Sequence, residues 1–352
     1  MAKQVKIKEI AQKAGVSTGT VDRILHNRGK VSAKSRKAVE KVLAEVGYKY
    51  NIHTSAISFR KEIVISVCIP LANSGEYWES INDGFEHALE EFSDIKIRLQ
   101  YYFYDQYDVY SCRSAYDQVA SNKSDAVIIG STFTEETIQL CRKLDESSTP
   151  YIFVDSIVEG TNPYETYTTD QYACGYLLAK LLDSATPEDR YIAIFKFQRI
   201  GNQSSTNSLE RKRGFDSYMK EAGKSDRLIE ALLPAMDMKQ TESTLLEFLR
   251  DNPQVKSIAV LNSRGSVLAN ILHTNGMSDI HVISFDITEN NKECLEKGKI
   301  SILLCQKPKL QGFFAIKAVI NKLLYNMPPK QVHNHMPIDV IFKENLPYYR
   351  EV

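Results

Sequence analysis

The sequence predicts two kinds of structure in one chain: a small all-α head containing a helix-turn-helix, then a larger α/β portion in two lobes with parallel sheets. Three observations carry this. Helical-period apolar stripes fill the first fifty residues, and from residue 62 apolar runs alternate with amphipathic helices. Charge is also segregated. Residues 1–61 hold 14 Lys+Arg against 4 Asp+Glu, a net of +10, while the 352-residue chain has 44 of each, so the remainder nets −10. A neutral chain that collects its positive charge in one small terminal unit has the electrostatic footprint of a polyanion binder.

In order, Ile7, Ile10, Ala11 and Ala14 make the apolar stripe of a first short helix. Gly15 sits in the turn after it. Ser17 can cap a second helix, in which Val21, Ile24 and Leu25 face inward and Thr18, Gly19, Asp22 and Arg23 face out. Two short helices joined by a Gly-containing turn form a helix-turn-helix, whose second helix can meet base edges in the major groove. Ser32 can cap a third helix with Val39, Val42, Leu43 and Val46 on one stripe, stopped by Gly47.

These residues resemble the DNA-binding head of the LacI/GalR transcription regulators: Ile7-Lys-Glu-Ile-Ala-Gln-Lys-Ala-Gly-Val-Ser17, then Thr20-Val21-x-Arg23-Ile-Leu25, Val31-Ser32 and Gly47-Tyr48-x-x-Asn51. The resemblance implies a DNA-contacting set of Ser17, Thr18, Gly19, Thr20, Arg23, Asn51 and Ile57. Thr18, Gly19 and Arg23 would occupy base-reading positions, with Arg23 able to form a bidentate pair with guanine. Asp22 departs from the family, which has a small hydroxyl residue near phosphate there. In the family, the segment after the head forms a hinge helix that enters the minor groove. Here Tyr50 stands where Pro is common, Ser55 where Arg is common, and Ile57 at the usual Leu position. Ile57 can still wedge between base pairs, and a plain flexible linker is the alternative. The expected divisions are a head over 1–50, a hinge over 51–61 and a two-lobed domain over 62–352.

From residue 62 the elements alternate. Glu62–Ile69 reads as a strand buried on both faces, ended by Pro70. A helix with Ile81, Phe85, Ala88, Leu89 and Phe92 on one stripe follows. Strands are expected at 97–104, 125–129 and 151–154, with helices over 111–121 and 135–145. A second series has helices at 172–183, 208–222, 241–250, 266–274 and 310–324. Its strands are at 191–195, 228–233, 257–261, 281–285, 300–304 and 338–342. Two α/β sets of similar size suggest two lobes, and ligands of such sheets bind at the carboxyl ends of the strands. The resemblance extends here, implying a periplasmic-binding-protein-like effector domain.

Short polar residues just after strands are the candidate ligand contacts: Asp155, Asn262 and Asp286. Arg211 matches the family's effector-contacting Arg three residues before Gly-Phe. Gln306 matches a position at a lobe crossover. Asn73, Tyr77 and Trp78 lie where the family's first binding loop sits. Carboxylates that accept from neighbouring hydroxyls, a forked Arg donor and a flat aromatic face suit a small polyol such as a sugar. Each residue also has a plainer reading. Strand-end Asp and Asn often cap the next helix, Arg211 beside Lys212 and Arg213 could be a solvated basic face, and Trp78 could be core. Asp170 reads as a structural residue at the lobe crossing.

Other classes find little support. No apolar stretch is long enough to span a membrane, and no hydrophobic signal core precedes the head, so a cytoplasmic location is expected. The six scattered cysteines read as buried free thiols. His333-Asn-His335 lacks further ligands and reads as a surface loop, and Tyr101–Tyr104 reads as a buried strand. Glycine-rich nucleotide loops and nucleophile motifs are missing, so neither cofactor, metal nor enzyme chemistry is expected. The expectation is a transcription regulator that binds a two-fold operator as a homodimer or homotetramer and answers to a small sugar-like effector. The alternatives are a transport-type solute-binding protein without DNA binding, or an enzyme of doubly wound fold.

Overall fold

The computed structural model describes residues 7–25, 31–45, 62–201, 205–235 and 237–351. The head is α1 (Ile7–Ala14), α2 (Thr18–Leu25) and α3 (Ala33–Glu45). Ile10, Val21 and Val39 are fully buried where the three helices meet, with Ala11, Ile24 and Val42 around them. Gly15 turns the chain at φ +65°, a left-handed conformation that costs glycine little. Ser17 starts α2 by accepting the Thr20 N–H at 3.1 Å, and Ser32 does the same for α3 with Ser35 N–H. Val46, Gly47 and the expected hinge, with Tyr50, Asn51, Ser55 and Ile57, lie outside the described residues.

Lobe 1 is built from β1 (Ile63–Pro70), α4 (Tyr77–Glu91), β2 (Ile97–Tyr104), α5 (Val109–Ser121), β3 (Ala126–Gly130), α6 (Thr134–Glu146), β4 (Tyr151–Val154) and β5 (Glu165–Thr168). The chain then crosses into lobe 2 for α7 (Gln171–Ala185), β6 (Tyr191–Phe197), α8 (Thr206–Glu221), β7 (Leu228–Leu233), α9 (Met238–Asp251), β8 (Val255–Val260), α10 (Gly265–Thr274), β9 (His281–Phe285), α11 (Glu289–Glu296) and β10 (Ile302–Cys305). It returns for α12 (Pro308–Tyr325) and β11 (His333–His335), and crosses a third time to β12 (Asp339–Ile341). The sheet orders are β11-β5-β4-β3-β1-β2 and β12-β10-β9-β8-β6-β7. The two lobes thus repeat one topology, parallel throughout except for β12, which runs antiparallel to β10.

Both faces of each sheet are covered. In lobe 1, α4 and α12 pack on one face around Phe85, Ile128 and Ile316, and α5 and α6 on the other around Tyr104, Phe133 and Phe153. In lobe 2 the corresponding cores centre on Leu245, Val260 and Leu268, and on Phe215, Ile283 and Phe285. That double cover is why the strands read as continuous apolar runs. The paired helices touch backbone to backbone. A Cβ built at Gly175 in α7 would lie 1.8 Å from the Arg211 carbonyl oxygen in α8, and one at Gly214 1.9 Å from that of Tyr172.

Two readings need correction. His333–His335 is not a loop but a short edge strand, pairing in parallel with β5 through its backbone. Tyr101–Tyr104 is not fully buried. Because β2 is an edge strand, Tyr102 and Tyr104 face the core while Phe103 is half exposed and stacks on Tyr101. The cysteines are all free and buried, as expected. Among the described residues no helix is long and apolar enough to cross a membrane.

Candidate functional site

The carboxyl ends of both sheets face one another across a cleft of about 600 Å³. Lobe 1 lines it with Asn73, Tyr77, Trp78 and Asp155, and lobe 2 with Arg211, Asn262 and Gln306, so seven of the eight expected ligand residues meet in one place. Asp286, the eighth, sits behind that wall, where Ser263 Oγ donates to it at 2.8 Å and Gln306 Nε2 at 2.9 Å.

Asp155 and Asp286 are counterparts in the repeated topology. Asp155 follows β4 with φ 70° and Asp286 follows β9 with φ 64°. The N–H of Asp155 donates to Tyr167 O and to Gln311 Oε1, and that of Asp286 to Leu304 O. Aspartate tolerates the left-handed region better than most residues, and here that turn swings the carboxylate off the sheet edge. Neither caps a helix. Asp155 instead accepts from Tyr77 Oη at 2.6 Å within lobe 1 and from Asn207 Nδ2 at 2.8 Å in lobe 2. Burial raises the Asp155 carboxyl above its ordinary range, while Arg211 and the Tyr77 and Asn207 hydrogen bonds oppose the rise. Burial pushes Asp286 up to about 7, again against Arg211.

Arg211 is 3% exposed, so it is not a solvated face. Its Nε donates to Gln171 Oε1 at 2.7 Å, one terminal nitrogen to Leu261 O at 2.7 Å and the other to Gln306 Oε1 at 2.6 Å, with the plane 3.9 Å from the Phe285 ring. Its neighbours behave differently. Lys212 is held by Asp216 and Glu230, and exposed Arg213 pairs with Glu210. Gln171, Thr169 and Gln306 continue the network through the two crossings that join β5 to α7 and β10 to α12. Asp170 caps α7 by accepting the Ala173 N–H, as expected of a structural residue. Asn262 accepts the Arg264 N–H at 3.0 Å and so shapes the turn into α10. Asn73 is exposed and tied to Glu76. Trp78 is both core and wall, buried against the lobe 1 cluster yet lining the cleft.

Sequence reading missed several wall residues. Asn207 lies four positions before Arg211 in α8, on the same helical face, a spacing that could have revealed it. Arg199, Tyr107 and Arg264 come from loops and carry no periodic signal. Arg199 reaches from lobe 2 into lobe 1, donating to Thr132 O at 2.8 Å and to Gln106 O, over the Phe133 ring at 3.9 Å. Ile200 N–H donates to Tyr107 O at 2.7 Å, and Glu289 N–H donates to Gly75 O at 2.9 Å. The lobes are therefore joined by direct hydrogen bonds from more than one loop.

In the head, Ser17, Thr18, Gly19 and Arg23 are exposed on one side of α2 and Thr20 is half-buried, its hydroxyl bonded to that of Ser17. Arg23 is free of the core that Val21 and Ile24 form.

Comparison with known proteins agrees with both parts. Residues 6–51 match the family of bacterial regulatory proteins, lacI family, and residues 65–325 match the periplasmic binding protein domain. The transcriptional regulator DegA of Bacillus subtilis is 27% identical over 219 residues, 62% of this chain and 61% of that protein. GalS of Salmonella typhimurium is 25% identical over 299 residues, 80% of each chain. A crystal structure described as a LacI transcriptional regulator from Bacteroides fragilis superimposes with a TM-score of 0.78 at 30% identity, over 82% of this chain and 100% of that one. The N-terminal match disfavours a transport protein without a DNA role, and regulator relatives disfavour an enzyme. The chain belongs to the LacI family of bacterial regulatory proteins, a DNA-binding transcription regulator that joins a helix-turn-helix head to a periplasmic-binding-protein-type domain.

Proposed function

We propose that this regulator acts in the cytoplasm as a homodimer or a larger assembly on a two-fold operator, and that a small sugar or sugar derivative bound in the cleft sets its affinity for DNA. The observation that carries the reading is the hydrogen bond from Asn207 to Asp155 across the cleft. One strand-end carboxylate meets both lobes, so a polyol seated on it would bear directly on closure. Asn73, Tyr77, Trp78, Asp155, Arg211, Asn262 and Gln306 form the effector-contacting set, with Asp286 acting through Gln306. Ser17, Thr18, Gly19, Thr20 and Arg23 form the DNA-contacting set in the head, joined by Asn51 and Ile57 from the hinge. Two heads are needed because one such unit reaches few bases, and a two-fold protein reads a two-fold site. A coupling of about 1–3 kcal/mol between cleft and heads is enough to change operator affinity about 5- to 150-fold.

The test is a mobility-shift titration of genomic fragments over a salt series, with and without a panel of sugars. The expected result is binding that weakens steeply with salt and shifts with one class of sugar. Salt-insensitive binding, or affinity that no cleft ligand changes, refutes the reading.

A further inference from the structure

We propose that the compound bound in this cleft is an acidic carbohydrate, one bearing a carboxylate or phosphate, and that Arg264 receives its acidic group. This rests on the reading of the cleft as the effector site. The wall is divided by charge. Lobe 1 supplies Glu76, Asp105 and Asp155, while lobe 2 supplies Lys196, Arg199, Arg211, Lys212 and Arg264. Most of these groups are already committed. Lys196 and Lys212 pair with Glu230. Arg211 serves the crossover network, and Arg199 is turned into lobe 1. The three acids are satisfied by the Asn73 backbone, the Tyr107 backbone, and Tyr77 with Asn207.

Arg264 is the exception. Its plane lies 4.3 Å from the Phe197 ring centre and 5.4 Å from that of Tyr107, and one terminal nitrogen is anchored on Ala235 O at 3.0 Å. Among the described residues none of Arg264, Arg199 and Arg211 forms an ion pair, but both terminal nitrogens of Arg199 and of Arg211 already donate to protein acceptors. The Arg264 guanidinium is thus pre-positioned, and N–H groups are left over after Ala235 and the Tyr107 hydroxyl are served. It also stands at the start of α10, with Ser205 before α8 and Thr288 before α11 on the same wall. Three helix N-termini add positive potential to that side.

A neutral polyol enclosed here would leave Arg264 without a counter-charge as water is expelled, a costly outcome. An acidic group removes that cost and can pair bidentately. The hydroxyl-bearing end then faces Asp155 and Arg211, and the acid faces Arg264.

The full-length protein should be titrated calorimetrically with glucose, glucuronate and glucose 6-phosphate, and with the corresponding galactose series. An acidic member should bind more tightly than its neutral parent, and comparing the uronate with the phosphate identifies the acid. Arg264→Met, which keeps the packed stem, should weaken that acid about 10- to 100-fold, should not weaken the neutral parent, which no longer encloses an uncompensated charge, and should leave affinity for DNA unchanged. Arg264→Lys should recover part of the loss. Equal or tighter binding of the neutral parent, or acid affinity unmoved by Arg264→Met, overturns the proposal. Asp155→Asn separates the two levels. A neutral sugar lost in Asp155→Asn keeps the cleft as effector site while the proposal falls, whereas an acid indifferent to both substitutions removes the cleft reading as well.

Discussion

Asp286→Asn should make the protein more stable at high pH and not at low pH. Asp286 is 3% exposed, and burial raises its carboxyl from an ordinary 3.8 to about 7. The rise of about 3 pH units corresponds to about 4 kcal/mol. An acid whose native pKa lies above its unfolded value holds a proton in the folded chain that the unfolded chain has released. Its penalty is therefore absent below about pH 4, grows as pH rises, and is complete above about pH 7. Asparagine has the same shape and no charge, so it removes the penalty. It also brings an amide that faces another donor, because Gln306 Nε2 and Ser263 Oγ both donate to the carboxylate. That mismatch costs about 1–3 kcal/mol. The variant should gain about 1–3 kcal/mol over wild type near pH 8 and nothing, or a small loss, near pH 5. The difference between the two conditions should be about 3 kcal/mol. Urea unfolding followed by far-UV circular dichroism at both pH values measures it. An Asp286→Asn effect that is the same at the two pH values would show that the carboxylate is charged throughout, and the reasoning fails.

Three other substitutions probe the rest of the molecule. Ser17→Ala removes the acceptor for Thr20 N–H and should cost about 1 kcal/mol of head stability, seen as a lower melting temperature of the full chain's first transition. Arg23→Ala should weaken operator binding by about 1–3 kcal/mol and relax preference at one base position; unchanged selection from a randomised operator pool would remove Arg23 from base reading. Gly175→Ala places a Cβ 1.8 Å from the Arg211 carbonyl oxygen. The helices must separate, so calorimetry should show a loss of more than about 1 kcal/mol together with weakened effector binding. A well-folded Gly175→Ala protein with normal ligand affinity would contradict the close packing.

Most of the fold was legible because doubly covered parallel strands print apolar runs and their helices print stripes. The elements that escaped are those without either mark. β5 is Glu-Thr-Tyr-Thr and β11 is His-Asn-His, both held by backbone pairing to a neighbour rather than by apolar content. α11 is eight residues long and mostly polar, begun by the Thr288 cap. The strand-end acids were legible as candidates, yet what each does was not. Only the fold shows that Asp155 spans the lobes while Asp286 stands behind Gln306. For Arg211 the sequence favoured a binding residue but left a solvated face open. Burial decides it, since the neighbouring Lys212 and Arg213 have acidic partners and Arg211 has the network.

The return of the chain to lobe 1 has a consequence for how the protein is made. α12 supplies Phe313, Ile316, Val319 and Ile320 to the first lobe's core, yet it is synthesised only after nearly all of lobe 2. A nascent chain that has emerged through residue 305 carries a second lobe lacking β12 and a first lobe with one greasy face covered by α4 alone. The ribosome-bound intermediate is therefore asymmetric, with the earlier-born half the less complete, and it is the half in need of protection from aggregation while translation finishes.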